Sequence, residues 1–249
     1  MVKIDVNADI AEIGTDIDAA LMPYISSANI ACGFHAGSPL QMAEAIRLCL
    51  QHKVTIGAHP SYRDREGFGR RPQRCTAAEI YQLMQDQLGA LAAIAQFQQA
   101  RLHHVKPHGA LYNEAAVTPA VANVIAAAVR DFDNSLCLVG LANSQLIRSG
   151  NAIGLKTLAE GFVDRRYTDE GLLVARTQEN ALLETEQEAI DQAMEMVLQR
   201  QVRTCSGKVV GLEVQTLCVH GDGPHAVVFA RALQRAFTSH GIQVAAEQT

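Results

Sequence analysis

The chain has 249 residues, of which 48% are hydrophobic and 19% are charged, and its mean hydropathy is +0.03. This composition is typical of a globular protein and excludes disordered, collagen-like and solenoid classes. Asp and Glu outnumber Lys and Arg by 26 to 21, which gives a net charge of −5. Because such a chain offers no basic field to a nucleic-acid backbone, we expect no nucleic-acid partner.

The cysteines and the amino terminus indicate a cellular compartment. The six cysteines stand singly along the chain, which favours reduced thiols over a disulfide framework. Lys3, Asp5 and Asp9 interrupt the first ten residues, so no apolar signal segment is expected there. The least polar long stretch, residues 88–97, is too short to span a bilayer. We therefore expect a cytoplasmic protein without membrane contact.

Short apolar runs alternate with longer helical patterns from one end of the chain to the other. The predicted strands are residues 3–9, 27–33, 54–59, 103–108, 136–141, 155–160 and 215–220. The predicted helices include residues 39–51, 76–99, 118–130, 184–200 and 224–239. No Pro- or Ser-rich linker separates these units, so the repeated βα pattern predicts a mainly parallel sheet in one α/β domain over residues 1–249.

Almost every predicted strand ends at an ionisable residue. These residues are Asp9, His35 just beyond the second strand, His59, His108, Glu160 and His220. In a β/α barrel the carboxyl ends of all strands meet at one mouth, whereas an open sheet spreads them along a crevice. Ordinary strands also end in polar residues, but six coincident cases favour a site. The pattern therefore predicts an irregular seven-stranded barrel with its site at that mouth.

Two motifs follow the second and third predicted strands. Residues 26–37, SSANIACGFHAG, place His35 after small side chains that either let a ligand approach the backbone or form a close-packed corner. Residues 56–71, IGAHPSYRDREGFGRR, place His59 before a loop that holds Arg70 and other arginines. Guanidinium groups bind carboxylates or phosphates through paired hydrogen bonds, although salt bridges on a solvated loop explain most of these arginines equally well.

The fourth predicted strand carries a cation beside a titratable base. In VKPHGALYN, Lys106 and His108 share one strand face and Asn113 follows. We expect Lys106 and His108 to lower each other's affinity for a proton.

Two more polar groups lie in the carboxyl-terminal half. Glu160 and Asp164 bracket the residues GFV, where they either divide acid and base roles or form ion pairs with the arginines that follow. His220 and Asp222 lie in CVHGDGPHA, whose glycines match a dinucleotide-binding pattern only weakly because no second βαβ unit follows. A helix amino terminus here can form an anion pocket. The chain has no phosphate-binding loop of the G-x-x-x-x-G-K-[ST] type.

The same strand-end residues raise the question of a metal. Asp9 and the histidines 35, 59, 108 and 220 include enough ligands for a divalent ion, but none has a local metal-binding spacing. Histidines also perform acid and base catalysis without a metal, so the sequence leaves a divalent metal open.

Six ordered motifs resemble the LamB/YcsF family over residues 4–244. They are DVNADIAE, SSANIACGFHAG, IGAHPSYRDREGFGRR, VKPHGALYN, the DRRY stretch with LLVAR, and CVHGDGPHA. The resemblance implies a barrel of the glycoside hydrolase and deacetylase type. It also implies the ATP-dependent opening of the 5-oxoproline lactam to L-glutamate, with ATP as co-substrate of a complex that includes two partner subunits, B and C. The family often has Gly before its first-strand glutamate, where this chain has Ala11 before Glu12.

The resemblance further implies that the strand-end residues line the site. The candidate catalytic residues are Asp9, His59, Lys106, His108, Glu160, Asp164 and His220, and the candidate substrate-binding residues are Asn7, Asn29, His35, Arg70, Asn113 and Asp222.

The candidate residues suggest specific roles in such a reaction. As a hypothesis, Asp9 or His108 is the base for water and Lys106 stabilises the oxyanion. In the same scheme His59 or His220 donates a proton to the leaving nitrogen, and an arginine near Arg70 binds the substrate carboxylate.

Two other functions fit the same residues. One is a stand-alone, metal-dependent amidohydrolase or deacetylase, and the other is a non-catalytic subunit that only binds 5-oxoproline. Metal analysis separates the first from an ATP-coupled lactamase. Kinetics of strand-end variants at saturating substrate separate the second.

Overall fold

Seven parallel strands form a closed ring in the computed structural model, which describes residues 2–219 and 226–247. The strands of this part of the chain are β1 (Lys3–Ile10), β2 (Ser27–Ala31), β3 (Thr55–His59), β4 (His104–Val105), β5 (Cys137–Leu141), β6 (Thr157–Phe162), β7 (Gln201–Arg203), β8 (Val209–Gly211), β9 (Thr216–Val219) and β10 (Gln243–Val244). The order β1-β2-β3-β4-β5-β6-β9 closes because β9 pairs with both β6 and β1. The predicted irregular seven-stranded α/β barrel is therefore confirmed.

Helices surround this ring. Those in the described ranges are α1 (Thr15–Leu21), α2 (Pro39–His52), α3 (Ala77–Phe97), α4 (Gly109–Val117), α5 (Pro119–Phe132), α6 (Gln145–Ala152), α7 (Glu186–Met194), which continues as a π-helical turn, and α8 (Ala226–Ser239). Local signals set several helix starts. Ser38 caps α2 just before Pro39, and Thr76 and Glu79 form a reciprocal capping box at the start of α3.

The first strand shows how the sequence builds a polar barrel interior. In KIDVNADI the even-numbered residues 4, 6, 8 and 10 are apolar and the odd-numbered residues 5, 7 and 9 are Asp, Asn and Asp, yet nearly all are buried. Successive strand side chains point to opposite faces, so one set packs under the helices and the other lies inside the ring. The register pairs Asp9 with Asn29 on β2. Polar side chains from neighbouring strands thus meet within the barrel.

The structure differs from the predicted elements in a few places. Strand β4 is shorter than predicted, because only His104–Val105 pair with their neighbours, and residues 106–108 lead into α4 instead. A small antiparallel hairpin, β7 with β8, and a short strand, β10, beside β1 were not predicted. Each is only two or three residues long, too short to produce a periodic pattern.

The helices also bear on membrane contact. Among the described helices no single one is long and apolar enough to cross a bilayer, and only α4 and α5 together pass that test, as a pair bent by 115°.

Candidate active site

A cavity of about 400 Å³ opens at the carboxyl ends of the barrel strands. Its polar lining residues are Asp9, Glu12, His59, Arg70, Lys106, His108, Tyr112, Asn113, Arg165, Arg176 and Thr177. The site therefore lies at the mouth where the strand-end pattern predicted it.

Lys106 carries a buried positive charge at the bottom of this cavity. Its side chain is 2% exposed, and its Nζ lies 3.0 Å from Asp9 Oδ1 and 2.8 Å from Glu160 Oε1. The same atom contacts Asn7 Oδ1 at 3.2 Å and Cys218 Sγ at 3.1 Å. An ammonium group donates three hydrogen bonds, so the protein supplies a partner for every Lys106 proton.

The electrostatics of Lys106 correct one expectation from the sequence. Burial alone would lower the pKa of Lys106, but the Asp9 and Glu160 carboxylates outweigh that effect and raise the pKa well above its usual value. His108 does not reverse this direction, because both carboxylates contact the ammonium directly. Lys106 is therefore a permanent cation, and its expected loss of proton affinity is wrong.

A second layer of polar residues orients the ion pair from inside the barrel. Asn29 Nδ2 donates to Asn7 Oδ1 and to Asp9 Oδ1, each at 2.8 Å. Asn7 Nδ2 donates to Glu160 Oε1 at 2.9 Å, and the Tyr112 hydroxyl donates to Glu160 Oε2 at 2.7 Å. These bonds reach both oxygens of Glu160 and Oδ1 of Asp9, and such hydrogen bonds are needed to keep charges buried.

Three histidines and a glutamate form a cluster beside the ion pair. The imidazole cluster comprises Glu12, His35, His59 and His108, whose four ligand atoms lie within 4.8 Å of one another, close enough to bind one metal ion. His35 Nε2 lies 2.8 Å from Glu12 Oε1, and His108 Nδ1 lies 2.9 Å from His59 Nε2. His59 Nε2 also lies 3.3 Å from Asp9 Oδ2, which links the cluster to the ion pair.

The surroundings of His35 and His108 favour their uncharged rings. Burial, followed by the nearby His59, lowers the pKa of His35 to about 2. Burial, again followed by His59, holds the pKa of His108 well below its usual range. Both rings are therefore neutral at physiological pH.

Glu12 reaches the cluster through an unusual backbone turn. The preceding residue, Ala11, has a φ of +59°, in the left-handed region where glycine is favoured. The Ala11 amide donates to Asp18 Oδ2 on α1 at 3.0 Å, which fixes this turn. Glycine adopts this conformation without strain, which agrees with the Gly that the LamB/YcsF resemblance implies at the position of Ala11.

The arginines of the loop after β3 divide into two groups. Arg65 donates to the Gly33 and Gly37 carbonyls, and Arg71 pairs with Asp64, so these two hold loops together. Arg70 lines the cavity with its guanidinium 4.8 Å from the centre of the Phe68 ring.

Arg165 and Arg176 add guanidinium groups from the segment after β6. Arg165 is 4% exposed, and burial followed by the neighbouring Arg176 lowers its pKa to about 10. The Arg165 Nε atom is buried and has no hydrogen-bond partner among the residues that the structure describes. Two adjacent cations of this kind favour a bound anion.

The structure places the predicted site residues at different depths. Asp9, His59, Arg70, Lys106, His108 and Asn113 line the cavity; Asn7, Asn29 and Glu160 lie beneath it; and His35 is buried beside it in the imidazole cluster. Asp164 is half-buried beyond the end of β6 and is absent from the cavity lining. His220 and Asp222 lie outside the described residues.

Sequence reasoning missed five polar residues that line the cavity, namely Glu12, Tyr112, Arg165, Arg176 and Thr177, and it missed Cys218, which contacts Lys106. Only Glu12 had a usable signal, because it is a carboxylate three residues beyond Asp9 at the end of the first strand. Tyr112 lies on α4, Cys218 on β9, and the other three follow β6, so only the fold brings them to the site.

The sequence model of the LamB/YcsF family matches residues 4–249. The chain belongs to the LamB/YcsF family. This confirms the family that the six motifs predict. A protein of Erwinia tasmaniensis, named as the A subunit of 5-oxoprolinase, is 50% identical over 242 residues, which cover 97% of this chain and 98% of that relative.

A solved structure agrees with this family membership. The crystal structure of a lactam utilization protein from Thermus thermophilus is 39% identical and has a TM-score of 0.92. The match covers 98% of this chain and 100% of that chain. This chain and the Thermus thermophilus protein therefore share the barrel fold described above.

Proposed function

We propose that this chain is the A subunit of an ATP-dependent 5-oxoprolinase and carries the hydrolytic half of the reaction. The observation that carries this proposal is the cavity in which a buried Lys106–Asp9 ion pair, two histidines and several arginines face the same space. The two relatives, one named for 5-oxoprolinase and one for lactam utilization, support the same reaction class.

The cavity suits a small anionic lactam. 5-Oxoproline has a five-membered ring and one carboxylate, and about 400 Å³ holds it with room for a phosphoryl group on its carbonyl oxygen. The substrate carboxylate binds the arginines of the cavity wall. Arg70 is the candidate from the sequence. Arg165 is a second candidate, because it lines the cavity and its buried Nε has no hydrogen-bond partner in the described part of the chain.

A lactam carbonyl is a poor electrophile, so ATP activates it. The carbonyl oxygen attacks the γ-phosphorus and releases ADP; water then adds to the activated carbon, and the ring C–N bond breaks with a proton going to nitrogen. A second water releases phosphate from the resulting acyl phosphate. The products are L-glutamate, ADP and inorganic phosphate. Because the chain has no phosphate-binding loop motif, phosphoryl transfer is assigned to the partner subunits B and C.

The protein residues then have separable roles. Asp9 or His108 accepts the proton of the attacking water, because both line the cavity beside His59. His59 or His220 gives a proton to the departing nitrogen. Lys106 stays positively charged throughout and stabilises the negative charge of the tetrahedral intermediate that forms when water adds to the activated carbon.

The test is an assay of glutamate and ADP formation from 5-oxoproline and ATP. This chain alone, subunits B and C alone, and all three together are compared, and we expect both products only in the complete mixture. Asp9→Asn should lower kcat at least 100-fold. The control Asp16→Asn, an exposed carboxylate on α1, should leave kcat unchanged.

Three results would contradict the proposal. Glutamate release by this chain without ATP would identify a stand-alone hydrolase. An Asp9→Asn variant with raised KM and unchanged kcat would identify a subunit that only binds 5-oxoproline. Full turnover by subunits B and C alone would remove this chain from the reaction.

A further inference from the structure

The hydrogen bonds of the imidazole cluster fix which ring nitrogens carry protons. His59 Nδ1 lies 2.7 Å from the Lys106 carbonyl oxygen, and His108 Nε2 lies 2.9 Å from the Phe68 carbonyl oxygen. A carbonyl oxygen only accepts hydrogen bonds, so both of these nitrogens are N–H donors. An imidazole ring with a single proton has a lone pair on its other nitrogen, which is Nε2 in His59 and Nδ1 in His108.

His35 has the same arrangement through a hydroxyl group. The Ser61 hydroxyl donates to the Tyr62 carbonyl at 2.9 Å, so its oxygen accepts the proton of His35 Nδ1 at 2.8 Å. The remaining nitrogen, His35 Nε2, then carries a lone pair and faces Glu12 Oε1 at 2.8 Å.

Acceptors therefore face acceptors at the centre of the cluster. His59 Nε2 and His108 Nδ1, which both carry lone pairs, are 2.9 Å apart. Glu12 Oε1 is 3.3 Å from His108 Nδ1. Such contacts are repulsive unless a cation lies between them. A proton bridges only two of these atoms, whereas one ion at the centre contacts all four ligand atoms, which lie within 4.8 Å of one another.

We propose that Glu12, His35, His59 and His108 bind one divalent transition-metal ion, of which Zn²⁺ is the best match. Three imidazole nitrogens and one carboxylate oxygen suit Zn²⁺ and similar ions, whereas Mg²⁺ and Ca²⁺ prefer oxygen ligands. The Lys106 and Phe68 carbonyls and the Ser61 hydroxyl act as outer partners that hold each ring in its ligating tautomer.

The spacing of the ligand atoms supports a four-coordinate ion. Ligands about 2.0–2.1 Å from a tetrahedral ion lie about 3.3 Å from one another. Glu12 Oε1 lies 2.8, 3.3 and 3.8 Å from the facing nitrogens of His35, His108 and His59. The His35 and His108 rings are stacked with centroids 3.8 Å apart and planes at 4°, so ion binding requires these two rings to tilt apart.

Metal binding by the purified full-length chain tests the proposal. The chain is treated with a chelator, dialysed, and titrated with Zn²⁺, Co²⁺ or Mg²⁺ in calorimetry and equilibrium dialysis with elemental analysis. We expect one Zn²⁺ or Co²⁺ per chain with submicromolar Kd, a Co²⁺ absorption spectrum typical of tetrahedral nitrogen and oxygen ligands, and no comparable Mg²⁺ binding.

Variants locate the ion. Glu12→Gln and His108→Ala should weaken Zn²⁺ binding at least 100-fold, and Ser61→Ala, which removes only an outer partner, should weaken it about 10-fold to 100-fold. The exposed histidines serve as matched controls, because His52→Ala and His240→Ala should leave the Kd unchanged.

Two results would overturn the proposal: no Zn²⁺ or Co²⁺ bound by the folded wild-type chain, or equal affinity in His108→Ala. If a variant fails to fold, anomalous diffraction at the zinc edge is measured on wild-type crystals instead. The absence of an anomalous peak at the cluster would also overturn the proposal. With the ion bound, His59 and His108 are ligands, which leaves Asp9 as the base and His220 as the acid of the proposed lactam reaction. A bound ion alone does not identify a stand-alone hydrolase, because the ATP requirement of glutamate release separates that enzyme from the ATP-dependent lactamase. The binding measurements need neither ATP, 5-oxoproline nor the partner subunits, so their failure leaves the lactam proposal standing, and the reverse also holds.

Discussion

At the scale of single residues, Lys106 shows how the barrel keeps a charge in its interior. Removing a cation from water costs several kcal/mol, and the attraction to close carboxylates offsets that cost only when hydrogen bonds satisfy the remaining atoms. Asp9 and Glu160 supply the attraction, and Asn7 and Tyr112 hydrogen-bond to this network. The stability of the fold and the charge of the cavity therefore depend on the same side chain.

Replacing this cation should be costly to stability. Lys106→Met leaves the Asp9 and Glu160 carboxylates buried without their partner, so we expect a loss of about 3–5 kcal/mol in the free energy of unfolding. Urea denaturation at pH 7 followed by circular dichroism measures the loss. Glutamate formation in the complete mixture should fall at least 100-fold.

A double variant separates the loss of charge from the loss of packing. Lys106→Met combined with Glu160→Gln removes one of the two stranded charges at almost constant volume, so it should recover part of the lost stability. A Lys106→Met protein as stable as the parent would show that the ion pairs do not stabilise the fold.

At the scale of elements, the loop after β3 and the start of α4 meet at two glycines. Gly109 begins α4 with a φ of +58°, and a Cβ placed there would lie 2.4 Å from the Gly69 carbonyl oxygen. That carbonyl accepts a hydrogen bond from the Ala110 amide at 2.9 Å. Next to it, the Phe68 carbonyl accepts the His108 proton. The backbone contact thus sets the orientation of an imidazole in the site.

Adding a methyl group at this contact should disturb both stability and the site. Gly109→Ala combines a left-handed backbone with a backbone clash, so we expect a loss of about 1–3 kcal/mol and at least a 10-fold lower kcat in the complete mixture. Gly89→Ala in α3 is the control, because nothing lies within 4 Å of its Cβ position. It should raise stability by about 0.5–1 kcal/mol without changing kcat. Equal effects of the two substitutions would contradict this account.

A buried carboxyl group on α1, the helix after β1, makes the stability of the fold depend on pH. Burial raises the pKa of Asp18 from 3.8 to about 6, although the hydrogen bond from the Ala11 amide opposes the shift. The folded state therefore holds the Asp18 proton more tightly than the unfolded chain does. Stability from this group is present at low pH and is lost as the pH rises from about 4 through 6.

Asp18→Asn should remove this dependence while keeping an oxygen acceptor for Ala11. Relative to the parent, the variant should gain about 2–3 kcal/mol between pH 4 and pH 7, since one pKa unit corresponds to about 1.4 kcal/mol. Urea denaturation at four pH values measures the gain. The exposed control Asp16→Asn should differ from the parent by a constant amount within about 0.5 kcal/mol. A pH-independent difference for Asp18→Asn would refute the assignment.

At the scale of the whole molecule, the closed ring of strands favours cooperative unfolding. Every strand of the seven pairs on both sides, and β9 completes the ring by joining β6 to β1. We expect one urea transition, with coincident curves from circular dichroism and tyrosine fluorescence. A chain ending at Leu212 lacks β9 and α8 and should lose the cooperative transition. Two separate transitions in the full chain would contradict the single domain that the sequence predicts.

The sequence by itself determined the strands, the main helices and the mouth of the barrel that carries the site. These features are local, because the apolar runs, the helix caps and the polar residue at almost every strand end lie within a few positions of one another. The positions of Asp9, His59 and His108 at the cavity followed from that pattern, because parallel strands bring their carboxyl ends together.

Only the tertiary structure decided how the side chains of the site combine. Lys106 and Asp9 are 97 residues apart in the sequence, and the strand register brings them together. Their contact raises the pKa of Lys106, whereas the sequence predicted a lowered proton affinity. Glu12 enters the imidazole cluster through a left-handed turn at Ala11. Alanine favours the right-handed helix, so the sequence provides no reason to expect this turn. The physical reason is that pKa values, tautomers and ligand sets depend on distances of a few ångströms between distant segments, and local periodicity does not encode those distances.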